Sequence, residues 1–343
     1  MYNRIHMSSY ELSLSGELNL ERVKKQLIQR YERSRISSDQ VFEAVYSDYN
    51  KDMERVSNRE QTFQNGNSEE GLGMVAEALV HNALTKHEIS SHLQFRPASK
   101  YDDLFKGTDI LVEPKGNTSS NQAFAGIDVT INQDNIDKGV DATRFTSEEM
   151  AEPVGLEAKL ARSRDYTDRL AAYDATAARD LLAWLESGGL NQPRTRENKD
   201  NFIKAESVLA MKYYRAPDTA PDPGKPSYII GGPHPIISLD TYFVNKALQG
   251  GQQAEGLLAD LAVVEFVMGI QAERKYLEEL VRQQKERNVL FDKHYAKVLG
   301  WSYIFENPMM TNIVNAIIKR QSQNLDFQKQ LNYYSNALAK INK

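Results

Sequence analysis

Two aspartates stand where aspartate is costly. Asp128 lies inside the apolar run AGIDVTI, between Ile127 and Val129. Asp109, nineteen residues earlier, follows Gly107 and Thr108 and precedes Ile110, Leu111 and Val112. Burying an unpaired carboxylate costs several kcal/mol, so each must be solvated, paired or bound to a cation. Two such acids on adjacent strands repel, and a divalent metal is the usual relief of that repulsion. Capping a strand entrance is a simpler role open to Asp109; a mid-strand acid such as Asp128 has few structural roles.

The elements around them are set by period and punctuation. HLQFRPAS, TDILVEP and AFAGIDVTI are short, rich in β-formers and bounded by Gly, Pro, Asn and Ser, which predicts three strands. A helix from about Ser68 to Lys86 precedes them, with Leu72, Val75, Ala76, Leu79, Val80 and Ala83 as its buried stripe. Two charged amphipathic helices are expected across residues 18–60, the second near Val41 to Met53 behind the capping-box spacing of Ser37 and Gln40. Residues 132–212 read as polar and mainly helical, clearest from Tyr166 to Leu185. The proline-rich YRAPDTAPDPGKPS is a loop or spacer, and SYIIGGPHPIISLD gives a further β-segment around Ile236 and Ile237. From Thr241 onward the pattern is helical, with long helices near Gly256–Arg287 and Asn312–Ile341.

In this order (helix, three strands, helix, strand) with an acid on the second and third strands, the sequence resembles the restriction-endonuclease-like, or PD-(D/E)XK, nuclease superfamily. The resemblance covers roughly residues 65–140 plus the strand near Ile236. It implies an α/β fold: a mixed-sheet core flanked by helices, carrying a helical insertion and a helical C-terminal region. The expected divisions are an N-terminal helical segment 1–64, a nuclease-like core 65–250 with its insertion at about 140–212, and the C-terminal helices 251–343. The implied activity is metal-assisted phosphodiester hydrolysis with Mg²⁺ or Mn²⁺. Such chemistry needs a bound nucleophilic water and relief of charge on an in-line transition state, and Mg²⁺ favours oxygen ligands. Asp109 and Asp128 become the direct ligands, with the Val129 carbonyl as third. Glu77, on the preceding helix, holds an outer-shell water or a second ion. Glu70, seven positions earlier, is its substitute, and His81 lies one turn beyond it.

Where the superfamily has lysine, two residues after the second acid, this chain has Thr130. Threonine hydrogen-bonds but brings no charge. The charge is expected from elsewhere, first from Lys138 at the start of the next helix; Lys115 and Lys106 are poorer candidates. A second register is open: GLEAKLA contains ExK at Glu157 and Lys159, which makes Asp128 the first acid and Glu157 the second. It requires VGLEAKL to be a strand, whereas Ala158, Leu160 and Ala161 suit a helix at least as well.

Composition removes other classes. The 343 residues contain no cysteine, which excludes a thiolate metal site, a disulfide scaffold and a cysteine nucleophile. There is no GxxxxGK[ST], HExxH, GxSxG or GxGxxG after a strand. The N-terminus lacks the apolar core of a secretory signal. The most apolar stretch, GLLADLAVVEFVMGI, is broken by Asp260 and Glu265 and reads as a buried helix. A cytoplasmic protein without membrane contact is expected. The net charge of −5 is uneven: from Gly269 to Lys343 there are twelve Lys and Arg against seven Asp and Glu. That basic end is a candidate phosphate-backbone surface, or simply a solvated helical face. The expected partners are nucleic acid, with DNA first through the resemblance, and a second copy of the chain joined through the C-terminal helices. A catalytically silent, nuclease-like scaffold binding nucleic acid or protein is the alternative reading.

Overall fold

Residues 20–35, 49–64, 70–115, 124–132, 156–212, 228–249, 252–283 and 287–341 are described by the computed structural model. In chain order they form α1 (residues 20–35), α2 (Tyr49–Gln64), α3 (Glu70–Lys86), β1 (Leu93–Pro97), α4 (Lys100–Lys106), β2 (Ile110–Pro114) and β3 (Ala125–Asn132). Next come α5 (Leu156–Ala172), α6 (Ala175–Glu186), α7 (Lys199–Val208), β4 (Leu209–Met211), β5 (Ile229–Ile230) and β6 (Ile236–Asp240). The chain closes with α8 (Thr241–Leu248), α9 (Gln252–Gln283), α10 (Val289–Glu306), α11 (Pro308–Arg320) and α12 (Leu325–Ile341).

The principal sheet runs β1-β2-β3-β6. Its first two pairings are antiparallel and β3 runs parallel to β6, with Asp128 opposite Ile236 and Thr130 opposite Ser238. This is a mixed α/β architecture, mostly helical, in which the three predicted strands and the segment at Ile236 all form. Strand alternation sorts the side chains: Ala125, Ile127 and Val129 enter the main core with α3 and α9, and Asp128 and Thr130 take the other face.

Helix α9 spans the apolar stretch flagged in the sequence, and the two acids of that stretch, Asp260 and Glu265, are both hydrogen-bonded. Asp260 accepts from Arg320 and Gln321 and meets His87. Glu265 accepts the Ser238 N–H at 2.7 Å, while Gln330 donates to both Glu265 and the Ser238 carbonyl. Tyr334 donates to the Ile236 carbonyl at 2.7 Å. The outer edge of β6 is thereby hydrogen-bonded by side chains from α9 and α12. No helix among the described residues is long and apolar enough to cross a membrane.

Several boundaries differ from expectation. The stretch Tyr166–Leu185 is two helices, because Asp174 accepts from the amides of Thr176 and Ala177 and starts α6 anew. The long C-terminal helix is likewise divided, into α11 and α12, at Gln321–Asn324, where Asn324 accepts from the Phe327 amide. The second N-terminal helix runs to Gln64 rather than ending at Met53; its expected start near Val41, like Lys138 and Ser68, lies outside the described residues. In VGLEAKL the described residues, from Leu156 onward, are helix α5, so the register pairing Asp128 with Glu157 on neighbouring strands does not form.

Candidate active site

The short helix α4 sets the approach to Asp109. Ser99 caps its start, accepting the Asp102 amide at 3.0 Å, and Gly107 ends it at φ 67°, the left-handed conformation that glycine adopts without strain. The turn delivers Asp109 to the mouth of β2. There its amide donates to the Ile127 carbonyl at 2.8 Å, and its Oδ2 accepts the Val129 amide at 2.6 Å. Asp109 thus continues the β2–β3 ladder with a side-chain oxygen, and Asp128 lies next along β3.

Three carboxylates converge at this point. Glu77 from α3, Asp103 from α4 and Asp109 each offer an oxygen within 4.8 Å of the others. Burial, then the Glu77, Asp103 and Asp128 carboxylates, push the Asp109 carboxyl well above its usual range. Glu77 is pushed up to about 8 by burial and then by Asp103, with Arg35 and Lys159 opposing the rise. Crowded oxygens of this kind suit a hard divalent cation, which prefers carboxylate ligands and relieves their mutual repulsion. The donor set therefore fits Mg²⁺ or Mn²⁺.

Cationic side chains already reach this cluster from two directions. From α1, the nearly fully buried Arg35 bonds Asp103 at 2.7 Å, lies 3.5 Å from Glu77 and donates to the Tyr31 hydroxyl at 3.2 Å. Tyr31 in turn donates to the Asp109 carbonyl at 2.9 Å and meets the His81 ring edge-on at 5.5 Å. Tyr31 and Arg35 on α1 thus match His81 and Glu77 on α3, two i,i+4 pairs facing each other. From α5, Lys159 bonds the Asp128 carboxylate and donates to the Val129 carbonyl at 3.2 Å. Leu156 and Leu160 pack against Ile236 and Tyr334, which holds α5 where this reach is made.

The sequence-predicted residues fall as follows. Glu77, from the middle of α3, and Asp109, just before β2, meet in the carboxylate cluster; Asp128 and Val129, in the middle of β3, are the residues that Lys159 contacts. Thr130 is buried on β3 in register with Ser238. Lys159, from the ExK segment, reaches Asp128 and the Val129 carbonyl from α5. Lys106 donates to the Glu206 carbonyl at 2.5 Å, and Lys115 is exposed at the end of β2. His81 is aimed at Tyr31 and the Phe95 backbone, and burial lowers its proton affinity to a pKa of about 4.

Asp103, Arg35 and His234 join the site with no sequence signal that marks them. His234 is half-buried beside Thr108 at 3.1 Å, and desolvation holds its pKa below the usual imidazole value despite the charges of Asp128 and Glu273. Asp103, Asp128, Lys159 and His234 all line one cleft of about 660 Å³. Compared with known proteins, the chain matches no family model, no curated protein and no solved structure.

Proposed function

We propose that this protein is a divalent-metal-dependent nuclease with a restriction-endonuclease-like core. The observation that carries the reading is Lys159: its ammonium contacts Asp128 and the Val129 carbonyl, supplying from α5 the charge that Thr130 lacks. The helix α3, the strands β1, β2 and β3, the helix α5 and the parallel strand β6 also follow the order that the sequence resemblance implied.

Glu77, Asp103 and Asp109 would hold the metal, with Asp128 and the Val129 carbonyl beside them, and Mg²⁺ or Mn²⁺ there would supply Lewis acidity for in-line displacement at phosphorus. The chain's own residues do the rest. Lys159 balances charge at Asp128 and stands at the cleft where a phosphate oxygen would develop charge. The Asp109–Val129 bond fixes the carboxylate to the sheet, and α3 and α4 set Glu77 and Asp103 against it.

The test is cleavage of labelled DNA and RNA, each single- and double-stranded, with Mg²⁺ or Mn²⁺. Asp128→Asn is expected to lose at least roughly 100-fold in rate, the scale of losing one preorganised charge-stabilising group, with unchanged thermal unfolding. An active wild type alongside a fully active variant would overturn the assignment.

A second reading is favoured by one observation: Arg35 and Lys159 already pair with the carboxylates. A silent scaffold would need no further cation. Calorimetric titration with Mn²⁺ separates the two, since the scaffold binds none and the nuclease binds through Asp109.

A further inference from the structure

We propose that the cleft beside Asp128 takes a single strand of nucleic acid, with α5 as its phosphate track; this names the substrate class of the nuclease reading and rests on it. The cleft is walled by α5 on one side and by α2 and α4 on the other, with α7 and β4 behind. On α5, Lys159, Arg162, Tyr166 and Arg169 all line it, at successive steps of three, four and three residues. These steps keep the side chains on one helical stripe. At 1.5 Å per residue, Lys159 to Arg169 spans about 15 Å, the length of a few nucleotides.

Cations dominate the stripe, and Asp165 of the same helix and Glu206 of α7 also line the cleft. Arg162 and Arg169 are exposed and have no acidic partner among the described residues. On the basic C-terminal helices several cations are held by acids: Arg282 by Glu279, Lys293 by Glu186, Arg320 by Asp260 and Lys340 by Glu157. A duplex presents two rows of phosphate and calls for a broad basic face. A chain of net charge −5 that places two unpaired arginines of one helix along a walled cleft fits one row.

The opposite wall suits unpaired bases. Arg55 and Arg59 hold their guanidinium groups 4.9 and 5.1 Å from the Phe105 ring centre, and the exposed Ile203 of α7 lines the same cleft. Planar guanidinium and apolar surface stack on bases, and bases are open to stacking only when a strand is unpaired.

The experiment is fluorescence anisotropy of the full chain with Ca²⁺ in place of Mg²⁺, across a salt series. The probes are one labelled oligonucleotide as single-stranded DNA, single-stranded RNA and blunt DNA duplex. A single strand of either sugar bound at least tenfold tighter than duplex is the expected result, and the two sugars tell which polymer is the source. Arg162→Ala and Arg169→Ala should each lower the slope of log affinity against log salt by about 0.7, while Arg282→Ala leaves it unchanged. Duplex bound as tightly as single strand, or unchanged slopes in both α5 variants, would overturn the proposal. The nuclease reading fails separately. Strand binding that depends on α5, with no cleavage under any metal, keeps the track and removes the enzyme; cleavage that needs Asp128 but neither arginine does the reverse.

Discussion

Lys159 reaches Asp128 from 31 residues downstream and at the same time donates to the carbonyl of Val129, the next residue on the strand. One ammonium therefore reads both the side chain and the backbone of β3 at the point where its acid enters the cleft. Replacing it with Lys159→Met keeps the apolar stem and removes the charge. Cleavage should fall by roughly two orders of magnitude or more, with the unfolding midpoint moving only a few degrees. Lys159→Arg should recover part of the rate. Wild-type rates in Lys159→Met would end the lysine's role.

Arg35 is the cation already inside the carboxylate cluster. A buried guanidinium removed from its partners leaves acids uncompensated, at a cost of several kcal/mol. Arg35→Gln is therefore expected to lower the unfolding temperature of the metal-free protein sharply, and added Mn²⁺ should recover more of it than in the wild type. Scanning calorimetry with and without Mn²⁺ checks this. Equal metal-induced shifts in both proteins would show that Arg35 and the metal do not share the cluster.

Glu265 gives a pH dependence away from the cleft. Its carboxyl is pushed from 4.5 to about 8 by burial, only partly offset by the bonds from Ser238 and Gln330. A raised value means that the folded state holds the proton more tightly than the unfolded one. The contribution to stability is complete below the unfolded value and is lost as pH rises toward 8. Glu265→Gln keeps the shape without the charge, so its advantage over wild type should grow between about pH 5 and pH 8. Denaturation midpoints across that range measure it; a constant difference would contradict the shift.

Gly231 sits at φ 65°, and a Cβ there would lie 2.6 Å from the His294 Cα. The amide of Gly232 next to it donates to His294 Nδ1 at 3.1 Å. Gly231→Ala meets a backbone atom and a disfavoured angle together, so a loss well above 1 kcal/mol is expected in urea denaturation. A change within error would mean that the turn can move away from α10.

The strands were legible because their apolar alternation and bounding turns are local signals. Asp109 and Asp128 were legible for the same reason, as acids breaking an apolar pattern. What stayed hidden depends on tertiary placement. In KYDDLFK two adjacent aspartates look alike, yet Asp102 accepts from Ser99 and Lys212 while Asp103 turns to Arg35 and the cluster. Arg35 is one arginine among several on a charged helix, and only the packing of α1 on α3 singles it out. Lys159 was visible as part of an ExK segment, but its use requires knowing that α5 folds back across β6. Helix ends were misjudged where single side chains decide them, as at Asp174 and Asn324.

The side-chain bonds that Glu265, Gln330 and Tyr334 make to β6 have an outcome for assembly. An exposed strand edge is an invitation to another strand, and here the invitation is withdrawn on one side of the sheet. Neither a second copy nor an extended peptide can zip onto β6 without first unlatching α12. Strand pairing at that edge would thus require α12 to move first, and the strand beside Asp128 is kept from it.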